Sequence, residues 1–261
     1  PKKLLLKGGT ILDPLSGRSK KGNVEIEQNK IKSISSAVSA KGEHMIDCSG
    51  LVITHGFCDL HVHFREPGRE DKETLQTGSR AAFAGGFTRV CIMPNTSPPL
   101  DSPESIRFIV EKAEECPVHI HPIGAVTKGQ KGQELTEVQG IITEGAVALS
   151  DDGLPISDAQ VMRLALEYTS MFDKPVINHA EDECLRNNGL MNEGEISTRL
   201  GLVGNPSLAE AIMIQRDLEL ANMIQAKLHV PHVTSAGGAA NIRRMKKSNQ
   251  NIPISITKTM V

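Results

Sequence analysis

The chain has 261 residues, with 29 Lys or Arg against 31 Asp or Glu and a formal net charge of −2. This balance, with six Phe, one Tyr and no Trp, argues against a nucleic-acid-binding surface, which needs clustered basic residues or stacking aromatics. No apolar run reaches the roughly 20 residues of a membrane span. The five cysteines are widely spaced and contain no Cys-x-x-Cys pair, which indicates reduced, mostly buried thiols in a cytoplasmic protein.

The first fifty residues have the pattern of short β-strands. Apolar runs at 4–6, 10–12, 24–26 and 31–34 are separated by turn residues such as Gln28-Asn29. The pattern changes after Gly50, so we predict a β-rich domain at 1–51 and a second domain at 52–261.

The second domain alternates between strands and helices. Seven short apolar segments are typical of buried strands: 56–63, 87–93, 118–125, 146–149, 175–179, 228–233 and 252–256. Helix-capping signals follow several of them: Ser102 before Pro103, Asp158, and the capping-box pattern Ser207-x-x-Glu210. Strands alternating with helices predict a parallel sheet.

Apolar strands that end near polar residues favour an α/β fold of the (β/α) TIM-barrel type, with its site at the carboxyl ends of the strands. A closed barrel needs eight strands and about 250 residues, whereas 52–261 supplies seven segments. We therefore expect the first six to seven βα units of a barrel that is incomplete at its C-terminus.

The sharpest local motif is Asp59-Leu60-His61-Val62-His63 at the end of the first barrel strand. Residues two apart on a strand face the same side, so His61 and His63 would direct two imidazoles into the barrel mouth, as a metal site requires. The alternative is a chance pairing among nine His, and His119-Ile120-His121 is a second such pair. On the pair alone, the two interpretations carry equal weight.

Three later strand ends favour the metal site. They are Ser150-Asp151-Asp152-Gly153, Asn178-His179-Ala180 and Pro231-His232-Val233-Thr234. Each places a carboxylate or an imidazole where a barrel keeps its site, and such donors suit one or two zinc ions. Adjacent strand residues face opposite ways, so spacing alone leaves open whether Asp151 or Asp152 is the donor.

These residues lie in motifs that resemble the amidohydrolase superfamily and, within it, the bacterial class I dihydroorotases. The matching segments are 56–68, Met93-Pro94-Asn95-Thr96, 150–153, 179–182, 192–195 and the segment around His232. The resemblance runs from about residue 4 to residue 256. It implies a metal-dependent barrel beside a small β-sandwich.

By that resemblance His61, His63 and Asp152 would bind one zinc ion, and His179 and His232 would complete a second position. Many amidohydrolases carry a carbamoylated lysine at the end of strand four. Here that place holds Asp152, which resembles the class I pattern in which an aspartate serves instead of the lysine. It is favoured over Asp151 because the family spacing places this aspartate 27 positions before the next histidine.

Two further residues carry expected substrate contacts. Arg65 follows His63 by two residues and its planar guanidinium suits a carboxylate. In dihydroorotases an Arg and an Asn at these motif positions hold the substrate carboxylate, which assigns this role to Arg65 and Asn95. The alternatives are a surface ion pair of Arg65 with Glu66 or Asp71, and a turn role for Asn95.

The reaction that the resemblance implies is zinc-dependent, reversible cyclisation of N-carbamoyl-L-aspartate to L-dihydroorotate in de novo pyrimidine biosynthesis. The family's proton-shuttling aspartate ends strand eight and has no counterpart in these 261 residues. No catalytic acid or base is therefore assigned, and activity of this chain alone stays open.

Two other functions remain as alternatives. One is a non-catalytic homologue that binds and stabilises aspartate carbamoyltransferase. The other is a related cyclic-amide hydrolase such as a hydantoinase or an allantoinase, against which Arg65 and Asp152 count. A cytoplasmic homo-oligomer without nucleic-acid or membrane partners is expected.

Overall fold

The computed structural model describes residues 3–36, 44–249 and 253–258. The chain divides into two compact units, Pro1–Gly56 and Phe57–Val261. Strand β5 (Val52–Ile53) pairs with the first strand, β1 (Lys3–Asp13), and therefore belongs to the first unit. Within the described ranges, no helix combines the length and apolar character that crossing a bilayer requires.

The first unit is a mixed β-sheet. Its other strands are β2 (Arg18–Glu27), β3 (Lys30–Ser35) and β4 (His44–Asp47). The strand order is β3-β2-β1-β4, and β5 pairs with the second half of β1. Gln28 and Asn29 form the hairpin turn between β2 and β3 with φ values of 49° and 62°, as the sequence predicts. The described residues of this unit thus form one five-stranded sheet.

Each of the seven predicted barrel segments overlaps a strand. These strands are β6 (Phe57–Val62), β7 (Phe87–Ile92), β8 (His119–Pro122), β9 (Leu149–Ser150), β10 (Val176–Ile177), β13 (Leu228–Val233) and β14 (Ile254–Lys258). Strand β9 shares only Leu149 with the segment predicted at 146–149. A small parallel pair, β11 (Met191–Asn192) and β12 (Gly204–Asn205), lies in the excursion between β10 and β13. The start of the segment predicted at 252–256 lies outside the described residues.

The seven strands are parallel and follow one another in chain order. Strands β6, β7 and β8 pair in sequence, as do β9, β10, β13 and β14. A parallel bridge between Gly124 and Leu149 connects the two groups. This order is that of a (β/α) barrel, and it brings the carboxyl ends of all seven strands to one rim.

Helices fill the connections between the strands. They are α1 (Leu75–Ala84), α2 (Pro103–Ala113), a 3₁₀ turn at Lys128–Gln130, α3 (Val138–Thr143), α4 (Ala159–Ser170), α5 (Glu183–Arg186), α6 (Glu195–Leu200), α7 (Leu208–Ile224) and α8 (Ala236–Ser248). Their apolar faces bury Ile106 and Ile109 of α2, Met162 and Leu166 of α4 and Ile214 of α7 against the sheet.

Three predicted helix starts are confirmed, and the capping-box pattern predicted for one of them is wrong. Ser102 caps α2 by accepting from the Ser105 backbone N–H at 3.3 Å, and Asp158 caps α4 through the amides of Gln160 and Val161. Helix α7 begins after Ser207 as predicted, but the Ser207 side chain makes no capping bond. Its expected partner Glu210 bonds instead to Thr234 and Ser235.

Strand β6 leaves one side of the described sheet without a neighbouring strand. Phe57 and Leu60 are 50% and 44% exposed, and Cys58 is also exposed. Of the five thiols only Cys48 and Cys91 are buried, so the expectation of mostly buried thiols is wrong, and burial raises the pKa of the Cys91 thiol to about 11. Phe57 and Leu60 are exposed because no described strand packs beside that edge of β6.

The two serines at helix starts make a matched pair. We predict that Ser102→Ala lowers the free energy of unfolding by about 1 kcal/mol, because it removes a capping hydrogen bond, and that Ser207→Ala changes it by less than about 0.5 kcal/mol. Urea unfolding of the two variants measures the difference. Equal losses would contradict the assignment of the caps.

Candidate metal centre

Five predicted donor residues converge at the carboxyl rim of the parallel strands. His61 lies near the end of β6 and His63 directly after it, Asp152 follows β9, His179 follows β10, and His232 lies near the end of β13. They come from four strands spread over the chain. They meet because parallel strands in a barrel end at the same rim.

The first group joins two imidazoles and one carboxylate. Nε2 of His61 lies 3.2 Å from Nε2 of His63. The same His61 atom is 3.4 Å from Asp152 Oδ1, and His63 Nε2 is 3.6 Å from Asp152 Oδ2. Alternation along the strand thus brings His61 and His63 to one point, as the motif predicts.

The second group shares the same carboxylate. His232 Nε2 lies 3.6 Å from Asp152 Oδ1, and His179 Nδ1 lies 4.0 Å from it. The two imidazole nitrogens are 3.3 Å apart. In each group all three donor atoms lie within 4.8 Å of one another. Asp152 therefore stands between two imidazole pairs.

The environment of Asp152 fits a divalent cation. Its side chain is 4% exposed, and Oδ1 has no hydrogen-bond partner in the part of the chain that the structure describes. Burial by itself raises the pKa of Asp152, but the adjacent imidazoles of His232 and His61 outweigh burial and hold that pKa below its usual range. A buried, unpartnered carboxylate oxygen is costly unless a cation faces it.

The histidines are suited to donate lone pairs. Burial lowers the pKa of His63 and of His179, which favours neutral imidazoles. Neutral imidazole nitrogens with an ionised carboxylate form a donor set typical of zinc.

The structure separates Asp151 from its neighbour. Asp151 Oδ1 accepts from the backbone N–H of Val126 at 2.8 Å and of Thr127 at 3.1 Å, and Oδ2 accepts from the Thr127 hydroxyl. Its carboxylate is therefore occupied in holding the loop after β8. Of the two adjacent aspartates, Asp152 faces the histidines.

Asn95 contacts a candidate ligand directly. Its Oδ1 lies 2.9 Å from His63 Nδ1, so the protonated Nδ1 donates to Asn95 and leaves Nε2 free to face Asp152. Such a bond fixes the tautomer and the ring orientation of a metal ligand. Sequence reasoning missed this contact, because Asn95 follows β7 and its distance from His63 is set by the fold.

The alternative ion pairs of Arg65 are not present. Glu66 is buried, accepts from Leu75 N at 2.8 Å and pairs with Lys112. Asp71 pairs with Arg69 at 2.9 Å. Among the described residues, the half-buried Arg65 guanidinium makes neither a hydrogen bond nor a salt bridge. Burial lowers the pKa of His63, and the positive charge of Arg65 is near enough to help lower it further.

A cavity of about 400 Å³ opens beside the second group. Its lining residues are His179, Ala180, Glu181, Asn192, Glu193, Asn205, Pro206, Ser207, Glu210, His232, Thr234 and Ser235. Glu181 is fixed there by Asn205 at 2.7 Å and Arg186 at 3.2 Å. The volume is that of a small-molecule site, and the motif at 192–195 contributes Asn192 and Glu193 to its wall.

A buried polar network supports the strand ends behind the cluster. Asn178, beside His179, donates to Asp217 Oδ2 at 2.6 Å and accepts from Ile156 N at 3.1 Å. Arg216 binds Asp217 Oδ1 at 2.7 Å and the carbonyl of Ile156 at 2.7 Å. These side chains connect α7 to the loops after β9 and β10. The sequence shows only an Arg-Asp pair on a helix, so their function was missed.

The other histidines of the described ranges lie outside both groups. His229 is buried and its Nδ1 lies 2.8 Å from Ser255 Oγ. His121 Nε2 lies 3.2 Å from Arg89. Neither His44, His55 nor His119 joins a metal-ligand group within 3–36, 44–249 and 253–258.

The fold and the cluster define a (β/α)-barrel protein with a candidate two-metal centre. A sequence model of the family described as "Dihydro-orotase-like" matches residues 50–237. The chain is 46% identical over 244 residues to a dihydroorotase of Pelotomaculum thermopropionicum, and 43% identical over 258 residues to that of Syntrophus aciditrophicus. The chain belongs to the dihydro-orotase-like family.

The matches cover most of this chain but only part of the relatives. They include 94% and 98% of the chain and 57% and 61% of the two dihydroorotases. The L-hydantoinase of Arthrobacter aurescens superposes with a TM-score of 0.80 at 18% identity, over 98% of this chain and 58% of that protein. This structural likeness confirms the (β/α)-barrel fold, and the chain spans somewhat more than half the length of each of these proteins.

The buried His229 gives a test by pH. Burial lowers the pKa of His229 from 6.5 to about 4, so between these values the unfolded chain binds a proton that the folded chain does not. Stability therefore falls on acidification from pH 6.5 towards 4, and His229 accounts for up to about 3 kcal/mol of the loss.

We predict that His229→Gln shows a shallower fall in unfolding free energy than the wild type across this pH range. Urea unfolding of the metal-free proteins measures both slopes, with His121→Gln as the matched control at a less buried site. Parallel slopes for wild type and His229→Gln would contradict the prediction.

Proposed function

We propose that this chain carries the metal- and carboxylate-binding part of a dihydroorotase, which interconverts N-carbamoyl-L-aspartate and L-dihydroorotate with zinc. The observation that carries the proposal is the buried Asp152 carboxylate shared by two imidazole pairs. The family membership and the dihydroorotases similar over most of the chain support the same reaction. De novo pyrimidine synthesis is the corresponding pathway.

His61, His63 and Asp152 would hold one zinc ion, and His179 and His232 would hold a second beside the same carboxylate. When bound, zinc supplies a Lewis acid that polarises a carbonyl and activates water. Asn95 would keep His63 in the tautomer that presents Nε2, and the pair Asn178 and Asp217 would hold the strand end that carries His179.

A substrate with a carboxylate needs a cationic side chain in its binding site. The Arg65 guanidinium is near enough to His63 to add to the effect of burial in lowering the pKa of that imidazole, and both alternative acidic partners of Arg65 are engaged elsewhere. We propose that Arg65 and the Asn95 amide bind the carboxylate and so orient the ring. Hydantoin and dihydrouracil lack this carboxylate, which favours dihydroorotate over the substrates of related cyclic-amide hydrolases. A proton-transferring group is not assigned within the described ranges.

The remaining assignments extend the proposal to the whole molecule. Five free thiols support a reducing, cytoplasmic environment. We also propose the division into a β-rich domain and a metal-dependent barrel domain, and assembly into a homo-oligomer.

The ligand assignment predicts a specific loss of zinc. We expect the wild-type chain to bind zinc, and His61→Asn and His179→Asn each to bind less, because each removes one donor from a different group. His121→Asn, outside both groups, should keep the wild-type content. Elemental analysis after dialysis measures it, and a wild-type chain free of zinc would disprove the site.

The substrate assignment predicts a defect in affinity for the carboxylate. Arg65→Gln should raise KM for dihydroorotate by about 10- to 100-fold, because a charged hydrogen bond is worth about 1.5–3 kcal/mol. Ultraviolet-monitored ring opening by the zinc-loaded chain measures this, with Arg69→Gln as the surface control. An equal KM for Arg65→Gln and Arg69→Gln would contradict the assignment of Arg65 to the substrate carboxylate, and no turnover above a metal-stripped sample would show that this part of a dihydroorotase is not sufficient for the reaction.

A further inference from the structure

Glu210 makes an unusual set of contacts for a residue in the first turn of a helix. Its Oε1 accepts from the backbone N–H of Thr234 at 2.9 Å and from the Thr234 hydroxyl at 3.0 Å, and its Oε2 accepts from Ser235 N at 2.6 Å. The capping-box pattern predicts a bond within α7. Instead the carboxylate connects α7 to the segment that leads from β13 into α8.

That segment carries His232, whose backbone is strained. His232 has a φ of 36°, a region that costs free energy for a residue other than glycine. The pairing between β13 and β14 shifts register between Val230 and Val233, so the regular ladder is interrupted at the histidine. On the β14 side the Thr257 hydroxyl accepts from His232 N at 3.1 Å. External hydrogen bonds are what keep such a conformation in place.

Helix α7 is a fixed base for Glu210. The Ala209 carbonyl accepts from Asp182 N at 3.1 Å, and Asn241 of α8 donates to the Ala211 carbonyl at 3.0 Å. Two turns further on, Asp217 is bound to Asn178 and Arg216. Because hydrogen bonds fix α7 on both sides of Glu210, the Glu210 carboxylate can hold Thr234 and Ser235 in a defined position.

We propose that Glu210 is a positioning residue for His232. It acts through the main chain of Thr234 and Ser235, and it fixes the strained backbone so that the imidazole meets His179 and Asp152. The proposal rests on the proposed metal function for its purpose, but the clamp itself is a property of the chain. Glu210 is not a metal ligand in this proposal, since both of its carboxylate oxygens accept hydrogen bonds from Thr234 and Ser235.

The test compares Glu210→Gln with Glu219→Gln, an exposed glutamate on the same helix. The glutamine amide nitrogen cannot accept from an N–H donor, so at least one bond to the loop is lost. In metal-free protein we expect the amides of Thr234 and Ser235 to exchange hydrogen about tenfold faster in Glu210→Gln. Amides of β7 should be unchanged, and Glu219→Gln should resemble the wild type.

Cobalt titration followed by visible absorption provides the second readout. We expect Glu210→Gln to weaken one of two binding events by about 10- to 100-fold, the usual effect of losing a residue that orients a ligand, and to leave the other unchanged. Unchanged exchange at Thr234 and Ser235 would overturn the clamp. Faster exchange throughout the protein, or equal weakening of both metals, would show a general structural role and also overturn it.

The two proposals fail in different ways. A wild-type chain that binds no metal would disprove the proposed metal function and remove the purpose of the clamp, and with it the positioning role. The exchange rates would still decide whether Glu210 holds the loop.

Discussion

The structure depends on one electrostatic constraint, the burial of the Asp152 carboxylate at the rim of the barrel. Its Oδ1 has no hydrogen-bond donor among the described residues, while three imidazole nitrogens approach it to 3.4–4.0 Å. Burying an ionised carboxylate without a compensating charge is unfavourable. The arrangement is that of a site for cations. The polar residues around it hold the imidazoles close to the carboxylate despite the free-energy cost of burying its charge.

The buried Asp152 charge explains why polar side chains support the strand ends that carry the histidines of the cluster. Asn95 holds His63, Asn178 and Asp217 hold the strand end at His179, and Glu210 faces the loop that follows His232. Each strand end that contributes a histidine thus has a buried or half-buried polar contact of its own. Outer contacts of this kind orient metal ligands and tune their basicity, and the cavity next to them offers room for a small molecule.

Much of this arrangement was predictable from the sequence, and the rest was not, for a physical reason. Strand alternation places His61 and His63 together, and apolar segments with local caps locate seven strands and α2 and α4. Asp151 and Asp152 could not be separated by period alone, since the choice depends on the amides of Val126 and Thr127. The capping role predicted for Glu210 was wrong because its partners lie on a loop that is distant in sequence. Cys58 is exposed, against the expectation of mostly buried thiols, because no described strand covers that edge of β6. Both outcomes depend on tertiary structure.

The central claim is that Asp152 is shared by two metal positions. Anomalous X-ray diffraction from crystals of the zinc-loaded chain, measured at the zinc edge, tests it most directly. We expect two anomalous peaks, one on either side of the carboxylate, each at about 2.0–2.2 Å from an Asp152 oxygen and from the imidazole nitrogens of its group. Zinc bound at other histidines, with no peak near Asp152, would contradict it.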